Sequence, residues 1–274
     1  MAIEDEGIKT ATSAVELVGE IIKAAGDNPE VKEAGKNLSK TVLTVTKIIN
    51  NALLPIAAVN FAFDKARIYF AGKFQQELSQ KTSTIPPELI VEPKASIAGP
   101  VLQGLAFTHE EVNLKDMYLN LLTTAMDGRV ASEAHPAFVE IIKQLDSEEA
   151  SIVSIILQCL VPIAIVEVQL KGATGGSVSI ATHMLDLSDT ETLAKVENPR
   201  IAAMVDNWIR LGLVKVDYLK RLQDTNAYEW VSNRPEVARY KQVHENDTDK
   251  LDFAHGIIQR TALGIQFAKA VGLA

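Results

Sequence analysis

Little in this sequence points to covalent chemistry or to export. One cysteine, Cys159, stands among 274 residues, which excludes an intrachain disulfide framework and favours a reducing compartment. It follows an isoleucine-rich run and reads as a buried, inert thiol. The opening MAIEDEG carries three acids and no basic stretch, so neither a secretory signal nor a transit peptide is expected. Gly7 lies too far in for myristoylation, and the C-terminus offers no prenylation cysteine. A surplus of positive charge is also missing: the formal net charge is -8. A non-specific nucleic-acid binder draws its affinity from phosphate neutralisation and should be basic, so the overall balance counts against that class.

Catalytic motifs are equally scarce. The five histidines, His109, His135, His183, His244 and His255, show no partner at helical metal spacing, and no HExxH zinc site exists. His109-Glu110-Glu111 reads as a solvated helix start, and His135, before Pro136, as a cap or turn residue. Gly172, Gly175 and Gly176 lack the lysine and serine of a phosphate loop. Asp247, Asp249 and Asp252 lack the glycine and closing glutamate of a calcium loop. No serine elbow or cysteine–histidine nucleophile signature appears. No metal or cofactor is expected, and no enzymatic activity.

What the chain does have is helical periodicity. It is 47% apolar and 23% charged, an ordinary globular balance with room for about two domains. Ile8, Ala11, Val15, Val18, Ile22 and Ala25 share one helical stripe. A longer helical region is expected over residues 30–80, with Val42, Val45, Ile49 and Leu53 on one face before Pro55, and Ile56, Val59, Phe63, Ala66, Phe70 and Phe74 after it. Pro55 removes a backbone donor and should bend that helix. Residues 48–63 carry no charge, yet 16 residues fall short of the roughly 20 that a bilayer span needs. Lys36, Lys40, Lys47, Lys65, Arg67 and Lys73 flank this stretch against one acid, Asp64. That pattern fits either a core helix with solvated lysines or a helix lying on an anionic membrane or partner surface.

Three prolines mark residues 81–93 as a loop. Helices are expected over 95–106 and 114–127. A third starts at Pro136, and a fourth is capped by Asp146 with Glu148 and Glu149 near its positive end. Ile163 to Leu170 reads as a strand from its β-branched content, followed by a glycine turn. A helix over 199–211, ended by Gly212, leads to two expected strands, 213–218 and 228–231, and a final helix covers 261–271. The order helix, strand, helix, helix, strand, strand suits a winged helix. The fold class expected is mainly α: an N-terminal helical domain with a long bent helix (residues 1–133), then a winged-helix-like α+β domain (134–274). Residues 198–241 carry eight basic groups against five acids. Arg200, Asn207 and Arg210 would share the exposed face of the recognition-position helix, with Lys220 and Arg221 at the wing tip, a layout able to touch DNA or, in an acidic chain, a protein partner.

The segments IPPELIVEPKASIAGPVLQGLAF (85–107), LKDMYLNLLTTAMDG (114–128) and HPAFVEIIKQLDSEEA (135–150) resemble the abortive-infection alpha family of bacterial phage-defence proteins. The third segment is the most specific. The closing RTALGIQFAKAVG is similar to the family's ending, except that Ala262, Leu263 and Gly264 stand where proline, phenylalanine and glycine are often found. The resemblance implies a role in stopping phage infection and brings no active site with it. The function expected is antiphage defence by binding, with a winged-helix DNA-binding regulator as the alternative. The partners expected are a second defence protein or a phage component. A membrane surface and a second copy of the chain are further candidates, and nucleic acid ranks below them. The location expected is the cytoplasm, peripheral to the inner membrane in the membrane-binding version.

Overall fold

A computed structural model describes residues 60–172, 175–189, 192–244 and 250–274. The 8–25 stripe, the Pro55 bend, and Lys36, Lys40 and Lys47 lie outside the described residues. Two compact units emerge. One holds the described residues up to Ser151 together with Lys269–Leu273; the other holds Ile152–Ala268.

The first unit is helical. Helix α1 (Asn60–Ala71) gives way at Gly72 to α2 (Lys73–Thr82). The Gly72 N–H still bonds the carbonyls of Ile68 and Tyr69, so the chain changes direction while its donor stays satisfied. Ala66, Phe70 and Phe74 are buried, as their spacing predicts, and Tyr69, Phe70 and Phe74 pack in tilted or edge-to-face pairs at centroid distances of 5.1–6.0 Å. Helix α3 (Ala95–Thr108) lies against α4 (Val112–Met126). Gly104 permits this approach, because a Cβ there would sit 2.3 Å from the Tyr118 ring. His109 caps the end of α3 and stacks on Tyr69 at 4.9 Å rather than opening a helix. Helix α5 (Pro136–Ile142) is capped by His135, whose Nδ1 accepts the Ala137 N–H. Helix α6 (Ser147–Gln158) opens with a reciprocal box. Asp146 accepts the Glu149 N–H at 2.8 Å, and Glu149 accepts the Asp146 N–H at 3.0 Å, which satisfies two donors of the helix entry.

The second unit overturns the winged-helix expectation. It is built on a four-stranded antiparallel sheet in the order β2-β1-β4-β3: β1 Ile163–Lys171, β2 Ser177–Met184, β3 Val214–Asp217 and β4 Leu251–Arg260. The expected wing strand at Tyr228 is instead a 3-10 helix, Thr225–Asn233, opened by Asp224, whose side chain accepts the Asn226 N–H. Strand β3 therefore pairs with β4, from Val214 opposite Arg260 to Asp217 opposite Ile257, and no wing hairpin forms. The fold is mixed α and β, with the sheet curled into a half-barrel. Helix α7 (Ile201–Arg210) packs on β2 and β3 through Ile201, Met204, Val205 and Trp208. One sheet face buries Ala164, Val166, Val168 and Met184 against Tyr228, Val231 and Val237, the last from α8 (Pro235–Val243). The chain closes with α9 (Ala262–Ala270). Cys159 is half-buried, not sealed in the core.

His255 on β4 stacks flat on Tyr228 at 4.1 Å. Partial burial, then the nearby Arg221 cation, hold its pKa below the ordinary value. Folding thus favours neutral His255. Its contribution to stability is present above the unfolded value of about 6.5 and is lost as pH falls through the lower folded value. The urea midpoint should drop more steeply on acidification through this window in the parent than in His255→Gln; parallel profiles would refute the linkage.

Candidate functional site

Among the described residues, several of the cations singled out in the sequence are engaged by neighbouring groups. Lys65 is held by both Glu110 oxygens at 2.8 Å, and that carboxylate sits below its ordinary range because of the Lys65 hydrogen bond. Lys73 acts on Glu77, which also receives Lys115 at 2.7 Å and the Tyr69 hydroxyl at 2.9 Å. Arg67 is exposed on α1. In the second unit, Arg200 stands at the α7 entry and Arg210 donates to Asn207 Oδ1 at 2.6 Å. Lys220 pairs with Asp217 at 3.0 Å. These residues therefore sit at α7 and after β3, not on the recognition helix and wing of a winged helix.

What the structure does assemble is a clamped loop, residues 217–222. Asp217 begins it, accepting the Leu219 N–H at 2.9 Å and the Lys220 ammonium; Lys220, then the Leu219 N–H, hold its carboxyl below the usual range. At the other end, the Leu222 N–H donates to Tyr228 Oη, which itself donates to the Gly256 carbonyl, both at 2.9 Å. Between these anchors Leu219 is 99% exposed.

Tyr218 supplies a third anchor. Its Oη accepts the His183 backbone N–H at 3.1 Å and lies 3.0 Å from His183 Nδ1, while His183 Nε2 lies 3.2 Å from Asp206 Oδ1. The network assigns the tautomer: Nε2–H donates to Asp206 and Nδ1 accepts the phenol proton. In a flat sheet β2 and β3 would stand three strand spacings apart, about 14 Å. The curl brings them close enough for Tyr218 to reach His183. Gly256 opens the path, since a Cβ there would meet Tyr218 Cδ1 at 2.5 Å. His183 has φ 59°, a left-handed conformation that costs a non-glycine residue energy and persists where the surroundings hold it.

A phenol, an imidazole and a carboxylate in series could pass a proton. Burial, however, pushes Tyr218 up to about 12, so the phenol stays protonated and acts as a donor. Its oxygen already makes two hydrogen bonds. The arrangement is a clasp that fixes the loop. Histidine spacing alone did not reveal it, because His183 meets partners 35 and 23 residues away.

Among the described residues, no group of three His, Cys, Asp or Glu could hold a metal ion, and no helix is long and apolar enough to cross a membrane. No curated protein matches this chain. A solved structure of an uncharacterised protein from the hydrocarbon-degrading marine bacterium Alcanivorax borkumensis SK2 is 15% identical and covers 50% of this chain and 92% of its own, with a TM-score of 0.31. The family model described as abortive infection alpha matches residues 66–271. That match takes in most of the chain, including the clasp and the clamped loop, and the chain belongs to the abortive infection alpha family.

Proposed function

We propose that this protein serves abortive-infection-type defence against phage, and that it acts in the cytoplasm by docking a protein partner, a second defence protein or a phage component, through the 217–222 loop. Family membership supports the defence role. The docking reading rests on one observation: a leucine exposed over 99% of its surface on a loop that Asp217, Tyr218 and Tyr228 hold in place. An exposed apolar side chain is ordinary. A loop clamped at both ends is not, because its ordering entropy is already spent before any partner arrives. Lys220 and Arg221 beside Leu219 would steer an acidic partner and set orientation.

The test is protection in cells challenged with phage. The parent chain should lower plating efficiency. Leu219→Asp should abolish most of that protection, because a buried interface anchor is worth about 2 kcal/mol or more, roughly 30-fold in affinity. Its unfolding midpoint should stay unchanged, since the side chain touches little of its own protein. Full protection by Leu219→Asp would reject the loop, and no protection by the parent would reject the defence role.

A further inference from the structure

The second unit holds a cavity of about 440 Å³, lined by the 3-10 helix, α8 and β4. That volume lies within the roughly 300–1,000 Å³ range of small-molecule sites. Part of its wall is aromatic. Phe253 and His255 stand two residues apart on β4 and so share one sheet face, and both line the cavity together with Tyr228. His255 stacks on Tyr228 at 4.1 Å, 4° from parallel. The Tyr228 hydroxyl is consumed by Leu222 and Gly256, so the phenol offers the cavity its ring alone. Burial, then the Arg221 cation, keep His255 uncharged near neutral pH. It adds a π-face and no charge.

The rest of the wall carries charge of both signs. Glu229 on the 3-10 helix and Lys241 on α8 line the same cavity, with the Asn233 side chain beside them. Among the described residues, Glu229 and Lys241 pair neither with each other nor with any other side chain. A second cavity in this unit behaves differently. There Arg239 pairs with Glu197, and Glu236 is bound by Arg234, so its charges are already matched. A single exposed charge is simply solvated. Opposite charges left unpaired in one aromatic cavity are a pattern that a ligand can complete.

The charge pattern selects the ligand. A neutral aromatic ring would take water from both charges and give neither a partner, which costs energy. An aromatic anion would satisfy Lys241 and face Glu229, and an aromatic cation would do the reverse. A zwitterion satisfies both. We propose that this cavity binds a free aromatic α-amino acid. The ring packs against Phe253 and His255, the ammonium meets Glu229, and the carboxylate meets Lys241 and the Asn233 amide. The inference goes beyond the loop-docking reading and does not use Leu219.

The test is calorimetric titration of the full chain with L-phenylalanine, and saturable binding is expected. Truncated probes should each bind about tenfold or more weakly: phenylpropionate lacks the ammonium, phenylethylamine lacks the carboxylate, and L-alanine lacks the ring. Glu229→Gln should weaken phenylalanine binding and not weaken phenylpropionate. Lys241→Gln should weaken phenylalanine binding and not weaken phenylethylamine. Both side chains are exposed, so the unfolding midpoint should stay in place. Leu219→Asp should leave binding intact, so that cavity and loop stand or fall separately. No saturable binding at about 10 mM phenylalanine, tenfold above a millimolar dissociation constant, would overturn the proposal. Equal binding of phenylpropionate would reject the zwitterion. Tighter binding of adenosine monophosphate than of the amino acid would assign the cavity to a nucleotide and overturn the ligand class.

Discussion

Gly264→Ala should destabilise the sheet unit by about 3 kcal/mol, the upper end of the usual range for overpacking. Helix propensity predicts the opposite sign, for alanine in a helix interior normally gains up to about 1 kcal/mol over glycine. Close approach decides the outcome. A Cβ on Gly264 would lie 2.0 Å from the Leu213 carbonyl oxygen, 3.0 Å from its carbon and 3.2 Å from Leu157 Cδ2. The first neighbour is backbone and cannot swing aside. Leu213 is pinned by its own hydrogen bonds, its N–H donating to Trp208 O at 2.9 Å and its carbonyl accepting the Thr261 N–H at 3.0 Å. Helix α9 would have to lift, losing the Thr261 cap on the Gly264 N–H. Gly99→Ala is the matched control, because nothing lies within 4 Å of a Cβ there and propensity alone should act. Urea unfolding of both variants separates the effects; a Gly264→Ala protein as stable as Gly99→Ala would refute the close packing of α9 on Leu213.

The helices that sequence periodicity predicts are found where one face is apolar and the other polar. Phe138, Ile141 and Ile142 are buried on α5, and Trp208 and Val205 on α7. Strand β1 was legible because Ile163–Val168 is rich in β-branched residues. Its two neighbours were not. Strand β2 carries only a weak alternation, Val178, Ile180 and Met184 between Ser177, Ser179 and His183, and most of its positions are exposed or half-buried. Strand β4 contains Gly256, which weakens a strand signal, and the reason for that glycine is the Tyr218 ring, from the loop after β3, crossing over it. Tyr228 and Val231 have strand-like side chains, but local capping by Asp224 and burial against the sheet select a 3-10 turn. Tertiary contacts override propensity at each of these points, which is why no winged helix forms.

The clamped loop was half visible. Lys220 and Arg221 stood out as a basic pair at a tip, and the structure places both in the loop beside exposed Leu219. The clasp that holds it was not visible, because His183, Asp206 and Tyr218 come from a strand, a helix and a loop that meet only when the sheet curls. A histidine search at helical spacing could not find a site of that kind. A non-glycine residue with positive φ is a signal of such a site, and it exists only in three dimensions.

Arg234 carries the second large expectation. Its side chain is 0% exposed, and a buried guanidinium persists only when paired and fully hydrogen-bonded. Nε and Nη2 grip Glu236 at 3.0 and 2.6 Å, Nη1 donates to the Leu187 carbonyl at 2.5 Å, and Nη2 to the Val196 carbonyl at 2.6 Å. One side chain thus ties both ends of the β2–α7 connection to the entry of α8. Arg234→Ala leaves a buried carboxylate without its cation and strands two carbonyls, which should cost about 3–5 kcal/mol. Arg234→Lys should recover only part of this, because an ammonium cannot make the bidentate grip and reach both carbonyls together. The discriminating variant removes both charges: Arg234→Met with Glu236→Leu should be less damaging than Arg234→Ala alone, since no unpaired ion stays buried. Equal losses for the double and the single variant would show that the two carbonyl contacts, not the ion pair, make Arg234 necessary. A cost below about 1 kcal/mol for Arg234→Ala, within reach of a surface pair, would mean the guanidinium is not sealed from water at all.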